Sequence, residues 1–117
     1  MSEGEDNRNG QGAGGDRPII NASGDWGMND LIPNYLKRRH AELVQIDAAL
    51  IDGDLAPAAM IGHKLVGNAQ TFGFAPLGEL GRELEAAAVA QNAIEVRRIR
   101  MQIGEFLNKI DTSGKYR

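Results

Sequence analysis

Apolar residues recur at steps of three and four along the chain after residue 29, which is typical of one face of an α-helix. Turn-forming residues interrupt the pattern three times and divide it into segments at about 29–51, 55–72, 75–91 and 93–110. The last segment presents an apolar stripe made of Val96, Ile99, Ile103, Phe106 and Ile110. Because the connections are only two to four residues long, consecutive helices must run in opposite directions. The sequence therefore predicts an all-α, antiparallel up-down-up-down four-helix bundle.

The predicted bundle covers residues 29–111 and lies between two tails, 1–28 and 112–117. Residues 1–17 are rich in glycine and have only two apolar side chains, too few to offset the entropy lost on ordering, so we expect disorder there. Larger side chains then appear among turn formers, namely Pro18, Ile19, Ile20 and Trp26. Residues 18–28 are therefore expected either to remain irregular or to fold back on the bundle as a strap.

Charge and composition exclude several classes of function. Two basic and five acidic side chains precede residue 30, and the remaining 11 basic and 11 acidic side chains balance, so no basic footprint for nucleic acid is present. The chain has no cysteine, which excludes disulfides and thiolate metal sites. No apolar run approaches the length of a membrane span, and the start of the chain does not resemble a secretory signal. We expect a soluble, cytoplasmic protein without membrane contact.

The second predicted helix contains two glycines, Gly62 and Gly67, on either side of His63. Each glycine costs roughly 1 kcal/mol relative to alanine inside a helix, so another property must offset the loss. Gly67 lies one turn beyond His63 on the same face, and its missing side chain leaves open surface beside the imidazole. The pattern predicts an approachable histidine.

The residues that follow His63 on the same helix include two core anchors and two polar side chains near the imidazole. Leu65 and Ala69 point away from His63 and should anchor the helix in the core. Gln70 lies seven residues further along the histidine face, and Lys64 lies about 100° around the helix with a stem long enough to bring its ammonium group near. A neutral, exposed imidazole is a competent nucleophile near pH 7. The sequence therefore predicts a phosphoryl acceptor at His63, assisted by Lys64 and Gln70.

These residues resemble the signature of the histidine phosphotransfer (HPt) family. The signature places an apolar residue two positions after the histidine, usually lysine at three, and glycine at four and ten. The chain has Leu65, Val66, Gly67 and Gly73 after His63, so it departs from the signature only at Val66. The resemblance spans about 29–111 and includes the family's first-helix spacing at Leu43, Ile46, Ala49, Leu50 and Asp54.

The resemblance implies a phosphotransfer intermediate without an ATP site of its own. His63 would attack a receiver-domain aspartyl phosphate and later pass the phosphoryl group to a second receiver. The implied partners are response-regulator receiver domains, with a hybrid histidine kinase as a further candidate. No cofactor is expected in this chain, because Mg²⁺ would be held by the receiver. No phosphate-binding glycine loop of a nucleotide site is present either.

A docking surface can be predicted by reflecting the first two helices through the turn at Gly53. His63 then lies level with about residue 43, which would bring Val44 and His40 next to Met60 and Val66. The alternative for the three apolar residues is ordinary core packing. His40 is a weaker candidate for the acceptor, because no glycine lies beside it.

The remaining charged residues are predicted to be solvated helix surface. They are the basic run at 37–40, the arginines Arg97, Arg98 and Arg100, and the glutamates Glu79, Glu83 and Glu85. The two histidines lack the spacing of a metal site, so no metal is expected.

Two other functions stay open. A receiver-binding adaptor that keeps the bundle but transfers nothing is favoured by valine at position 66. The dimerisation and phosphoacceptor segment of a histidine kinase is disfavoured, because such segments generally place an acidic residue directly after the histidine, where this chain has Lys64. A monomer is expected, since four helices can close a core without a partner.

Overall fold

The computed structural model describes residues 27–115, with side chains from Leu31 onward, so the predicted N-terminal tail and most of the predicted strap lie outside the described residues. Four helices account for the regular structure in this range, and it contains no strand. They are α1 (Gly27–Asp52), α2 (Ala56–Phe72), α3 (Ala75–Val89) and α4 (Ala93–Ser113). The all-α, four-helix prediction is confirmed. None of the described helices combines the length and the apolar character that a bilayer-crossing segment needs.

Local signals explain where α2 and α3 begin and end. A proline occupies the first turn of each helix, where its missing N–H leaves no hydrogen bond unmade. Gly73 ends α2 in the left-handed conformation with φ of 84°. Its N–H donates to the Gln70 carbonyl at 3.1 Å, and the Phe74 N–H donates to the Ala69 carbonyl at 2.8 Å. These two bonds satisfy carbonyls at the helix end and turn the chain into α3.

Two helix ends differ from the sequence prediction. The first is α3, which ends at Val89 because Gln91 adopts a left-handed φ of 58° and leaves the helix. The second is α4, which runs through Ser113 instead of ending at residue 110. The Thr112 hydroxyl donates to the Asn108 carbonyl at 2.9 Å, and the Ser113 hydroxyl donates to the Ile110 carbonyl at 2.6 Å. Gly114 then ends α4 in the left-handed conformation with φ of 73°, and its N–H donates to the Asp111 carbonyl at 3.4 Å, so the helix enters the predicted C-terminal tail.

Contacts between the helices show their directions. Across α1 and α4, His40 pairs with Asp111 and Asp47 pairs with Arg100, so residue numbers rise on one helix as they fall on the other. Across α2 and α3, His63 pairs with Glu85 near one end, and a Cβ on Gly78 would contact Ala69 near the other. Each helix packs against two neighbours, in the cyclic order α1, α2, α3, α4. The described contacts are those of an antiparallel bundle.

The core follows the predicted apolar stripes. In α4, Val96, Ile99 and Ile103 are buried, whereas Phe106 and Ile110 are only half-buried. The sequence interpretation missed Leu107, which directly follows Phe106 and is fully buried.

Arg39 corrects the prediction that the whole basic run at 37–40 is solvated. Its side chain is buried, with the guanidinium 4.5 Å from the centre of the Tyr35 ring. It also donates two hydrogen bonds to the Glu42 carboxylate, at 2.8 and 3.0 Å. Arg39 lies between Tyr35 and Leu43 on the apolar stripe of α1, and a planar cation can stack on an aromatic ring while a carboxylate balances its charge.

Arg100 also differs from its prediction as plain helix surface. It is half-buried and donates two hydrogen bonds to the Asp47 carboxylate of α1, at 2.8 and 2.9 Å. Arg98 does lie on the surface, where it pairs with Glu95 and Glu83. Its hydrogen bond to Glu95 lowers the pKa of that carboxyl from the ordinary value. Arg100 therefore joins α1 to α4, and Arg98 joins α4 to α3.

Candidate functional site

His63 lies near the middle of α2, and 69% of its side chain is exposed. Leu65 and Ala69 on the other side of the helix are 2% and 0% exposed. The predicted orientation of α2 is therefore observed, with its apolar face anchored in the core and the imidazole directed outward.

Glu85 of α3 contacts the imidazole. The Nδ1 atom of His63 lies 3.1 Å from Oε2 of Glu85. An ionised carboxylate can only accept a hydrogen bond, so Nδ1 must carry the proton and donate it. The lone pair of the neutral ring then belongs to Nε2. In the described part of the chain no residue hydrogen-bonds to Nε2, which leaves the nucleophilic nitrogen open on an exposed face.

Sequence reasoning missed Glu85 and grouped it with Glu79 and Glu83 as helix surface. Those two residues do pair with nearby arginines, but Glu85 is half-buried against His63. One signal was available. Reflection of His63 through Gly73, the operation that was applied to the first two helices, gives residue 83, which is the height of Glu85 to within two residues but does not distinguish it from Glu83.

The two glycines beside His63, Gly62 and Gly67, lack a side chain for different structural reasons. A Cβ on Gly67 would meet no side chain and no neighbouring helix within 4 Å, so this glycine leaves open space next to the imidazole. Gly62 is buried where α2 contacts α3, and a Cβ there would collide with the backbone of Glu85 at 2.6 Å. Gly67 thus gives access to His63, whereas Gly62 belongs to the packing of the two helices.

An open groove of about 420 Å³ runs beside His63 between the start of α2 and the end of α3. Met60 and Val89 line it and are 54% and 68% exposed. Met60 is therefore not core, in contrast to the packing alternative. Asp54 and Glu85 also line the groove, so it combines apolar side chains with two carboxylates. Such a groove can receive an apolar surface of a partner.

The predicted assisting residues lie near His63 without touching it. Lys64 and Gln70 are both exposed, and neither forms a hydrogen bond with the imidazole in the described structure. Val66 is half-buried, and its carbonyl faces α3 near Gly78.

His40 and Val44 lie on a different side of the bundle from His63. The Nε2 atom of His40 is 2.7 Å from Oδ2 of Asp111, across the contact between α1 and α4. Val44 is 67% exposed and shares this side of α1, because it lies four residues after His40 and three before Asp47. The reflection gives an expected height along α1 but no direction around the helix. The structure therefore does not bring His40 and Val44 together with Met60 and Val66.

His40 also presents the less suitable nitrogen. Its Nε2 is engaged by Asp111, so the atom left over is Nδ1, which is crowded by the residue's own main chain. Within residues 31–115, no three histidine, aspartate or glutamate side chains come together as metal ligands.

Comparison with known proteins agrees with the four-helix architecture. The family model described as the Hpt domain matches residues 30–112, which includes nearly all of the four helices. Searches of curated proteins and of solved structures gave no match. The matched range covers most of the chain and contains both His63 and Glu85. The chain therefore belongs to the Hpt domain family, with the phosphotransfer role in two-component signalling that defines it.

Proposed function

We propose that this protein relays a phosphoryl group between receiver-domain aspartates, with His63 as the residue that carries it. The observation that supports this most directly is the hydrogen bond between Nδ1 of His63 and Glu85, which leaves Nε2 free on an exposed face. The partners are receiver domains of response regulators, including one attached to a hybrid histidine kinase. The proposal includes a cytoplasmic location, where such receivers act.

Phosphoryl transfer to and from His63 depends mainly on the position of the imidazole relative to the phosphoryl group. The Nε2 lone pair attacks phosphorus, the P–O bond to the receiver aspartate breaks, and the aspartate leaves with the bonding electrons. The ring becomes cationic as the N–P bond forms, and the Glu85 carboxylate 3.1 Å from Nδ1 stabilises that charge. In the second step a receiver carboxylate attacks phosphorus and the imidazole leaves as a neutral ring. Mg²⁺ and most groups that stabilise the phosphoryl oxygens belong to the receiver.

Lys64 and Gln70 are proposed as assisting side chains. Both are exposed on α2 within reach of a phosphoryl group on Nε2, Lys64 through its long stem and Gln70 from the next position along the histidine face. Val66 occupies the position at which the family usually has lysine, so Lys64 is the nearest cation on this helix. A docked receiver would bring both groups to the phosphoryl oxygens.

The docking surface follows from the groove beside His63. Met60 and Val89 offer exposed apolar area, and Gly67 keeps the approach to the imidazole open. His40 and Val44, which the sequence prediction also included, lie on the side of α1 where His40 bonds to Asp111 of α4. A receiver that covers the groove would place its aspartate above Nε2.

The proposal is tested by incubating the protein with phosphorylated receiver domains. Transfer to histidine gives a phosphoprotein that is labile in acid and stable in alkali, and we expect this label on the wild-type protein. A set of receivers that bind the protein without labelling it would contradict the relay. That result would instead support the adaptor function, which the valine at position 66 favours.

Replacement of Glu85 by alanine is expected to slow phosphoryl transfer on the order of tenfold, by analogy with metal-bound histidines, which lose roughly 10–100-fold in affinity or activity without their carboxylate partner. The variant keeps the nucleophile but loses the group that fixes its tautomer and balances its charge. The measurement is the rate of label transfer from one receiver. Glu83→Ala is the matched control, since Glu83 lies on the same helix and pairs with Arg98 instead. Equal rates for the two variants would remove Glu85 from the mechanism.

A further inference from the structure

We propose that Gly62 is a positioning residue for phosphoryl transfer, because its missing side chain lets α3 approach closely enough for Glu85 to reach His63. The inference rests on the proposed role of His63. In this inference, position 62 requires glycine because α2 and α3 pack closely there, and this requirement is separate from the accessibility of the imidazole.

Collisions at this position involve only backbone atoms. A Cβ on Gly62 would lie 2.6 Å from the nitrogen of Glu85, 2.7 Å from the oxygen of Gly81 and 3.1 Å from the Cα of Glu85. Ordinary contacts of carbon atoms are about 3.5–4.0 Å. Backbone atoms inside a helix cannot rotate away as a side chain can. An added methyl group would therefore push α3 outward at the residue that bonds His63.

The same crossing is tight from the side of α3. A Cβ on Gly81 would lie 2.7 Å from the Cβ of Leu65 and 3.0 Å from the oxygen of Gly62. The two helices thus meet backbone to backbone at a pair of glycines. Gly62 directly precedes His63, so this crossing sets the separation between the histidine and α3.

At the other glycines of these two helices, an added Cβ would not collide with the neighbouring helix. A Cβ on Gly78 would contact the Cβ of Ala69 at 3.6 Å and the oxygen of Val66 at 3.7 Å, which are ordinary distances. A Cβ on Gly67 would meet neither a side chain nor another helix within 4 Å. The tight contact is therefore confined to the crossing beside His63.

The displacement caused by a side chain at position 62 is large enough to matter. Relief of the 2.6 Å contact requires a shift of about 0.9 Å to reach an ordinary separation. The same shift would lengthen the 3.1 Å bond between His63 and Glu85 beyond hydrogen-bonding range. The imidazole would then distribute its proton over both nitrogens, and only part of the population would present Nε2 as the nucleophile.

The test compares Gly62→Ala with the matched control Gly78→Ala, which adds the same methyl group at a site where it fits. The measurement is the ¹⁵N NMR signal of the His63 ring nitrogens in the free protein, at a pH where the ring is neutral. We expect one tautomer, protonated on Nδ1, in the wild type and in Gly78→Ala, and a mixture in Gly62→Ala. Transfer should slow on the order of tenfold in Gly62→Ala, as for loss of Glu85 itself, and stay unchanged in Gly78→Ala.

A double-variant comparison separates positioning from a general loss of structure. If Gly62 acts through Glu85, Gly62→Ala causes no further loss of transfer in a Glu85→Ala background, because the two changes are not additive. Additive losses, or a wild-type tautomer in Gly62→Ala, would overturn the inference. Should circular dichroism show that Gly62→Ala is unfolded, Gly81→Ala opens the same crossing from the side of α3, against the Cβ of Leu65 and the oxygen of Gly62, and must give the tautomer mixture.

The NMR result does not depend on a receiver. A wild-type protein that shows the Nδ1-protonated tautomer but takes no label would overturn the proposed function and leave the positioning role intact. A wild-type ring protonated on Nε2 would overturn the positioning role.

Discussion

The His63→Ala protein is expected to take no phosphoryl label from any receiver that labels the wild type, whereas His40→Ala is expected to be labelled normally. The two histidines differ in the nitrogen that they expose. His63 bonds through Nδ1 and leaves Nε2 open, while the Nε2 of His40 is held 2.7 Å from Asp111. Removal of the only outward Nε2 in the described structure removes the nucleophile, and no neighbouring group can replace it.

Label transfer from a phosphorylated receiver, followed by acid and alkali treatment, measures the effect directly. Because the His63 side chain is 69% exposed, His63→Ala should change the free energy of unfolding by no more than about 0.5 kcal/mol. Loss of label can therefore be distinguished from loss of fold. Label that persists on His63→Ala, or disappears from His40→Ala, would refute the assignment of the acceptor.

Leu65→Ala is expected to lower the free energy of unfolding by about 2–5 kcal/mol, the range measured when a large aliphatic side chain is removed from a core. Leu65 is 2% exposed and packs against Gly81, which has no side chain that could move into the space left behind. The loss in the free energy of unfolding should lie in the upper half of that range, because it increases with the volume of the cavity that remains.

Urea denaturation provides the measurement, and Met60→Ala provides the control on the same helix. Met60 is 54% exposed, so its truncation should change stability by about 0.5 kcal/mol or less. Similar losses for the two variants would mean that Leu65 is not the anchor of α2. The comparison would then also weaken the explanation for the outward direction of His63.

The fold could be predicted from the sequence because apolar spacing and turn-forming residues determine both the helices and their order. What the sequence could not supply were details decided by particular side chains. The apolar stripe stops at Ile110, but α4 continues until Gly114 adopts the left-handed conformation with φ of 73°. Arg39 was assigned to the surface because it is charged, but the Tyr35 ring and the Glu42 carboxylate make its burial favourable.

The direction of His63 could be predicted in the same way, but its carboxylate partner could not. The outward direction of His63 follows from the positions of Leu65 and Ala69 on one helix, and the structure agrees. Glu85 lies 22 residues away, so its contact depends on how α3 is aligned with α2. The direction of His40 and Val44 shows the same limit, because helix rotation within the bundle is a property of packing between helices.

The most extensive contact in the bundle joins α2 to α3, and these two helices are consecutive in the chain. His63, its carboxylate partner Glu85 and the glycines at their contact are therefore encoded in one short stretch of sequence. Mutations in α1 and α4 can alter the outer surface of the bundle without touching this unit. Such an arrangement lets the outer faces of α1 and α4 change while His63, Glu85 and the groove beside them keep their surroundings.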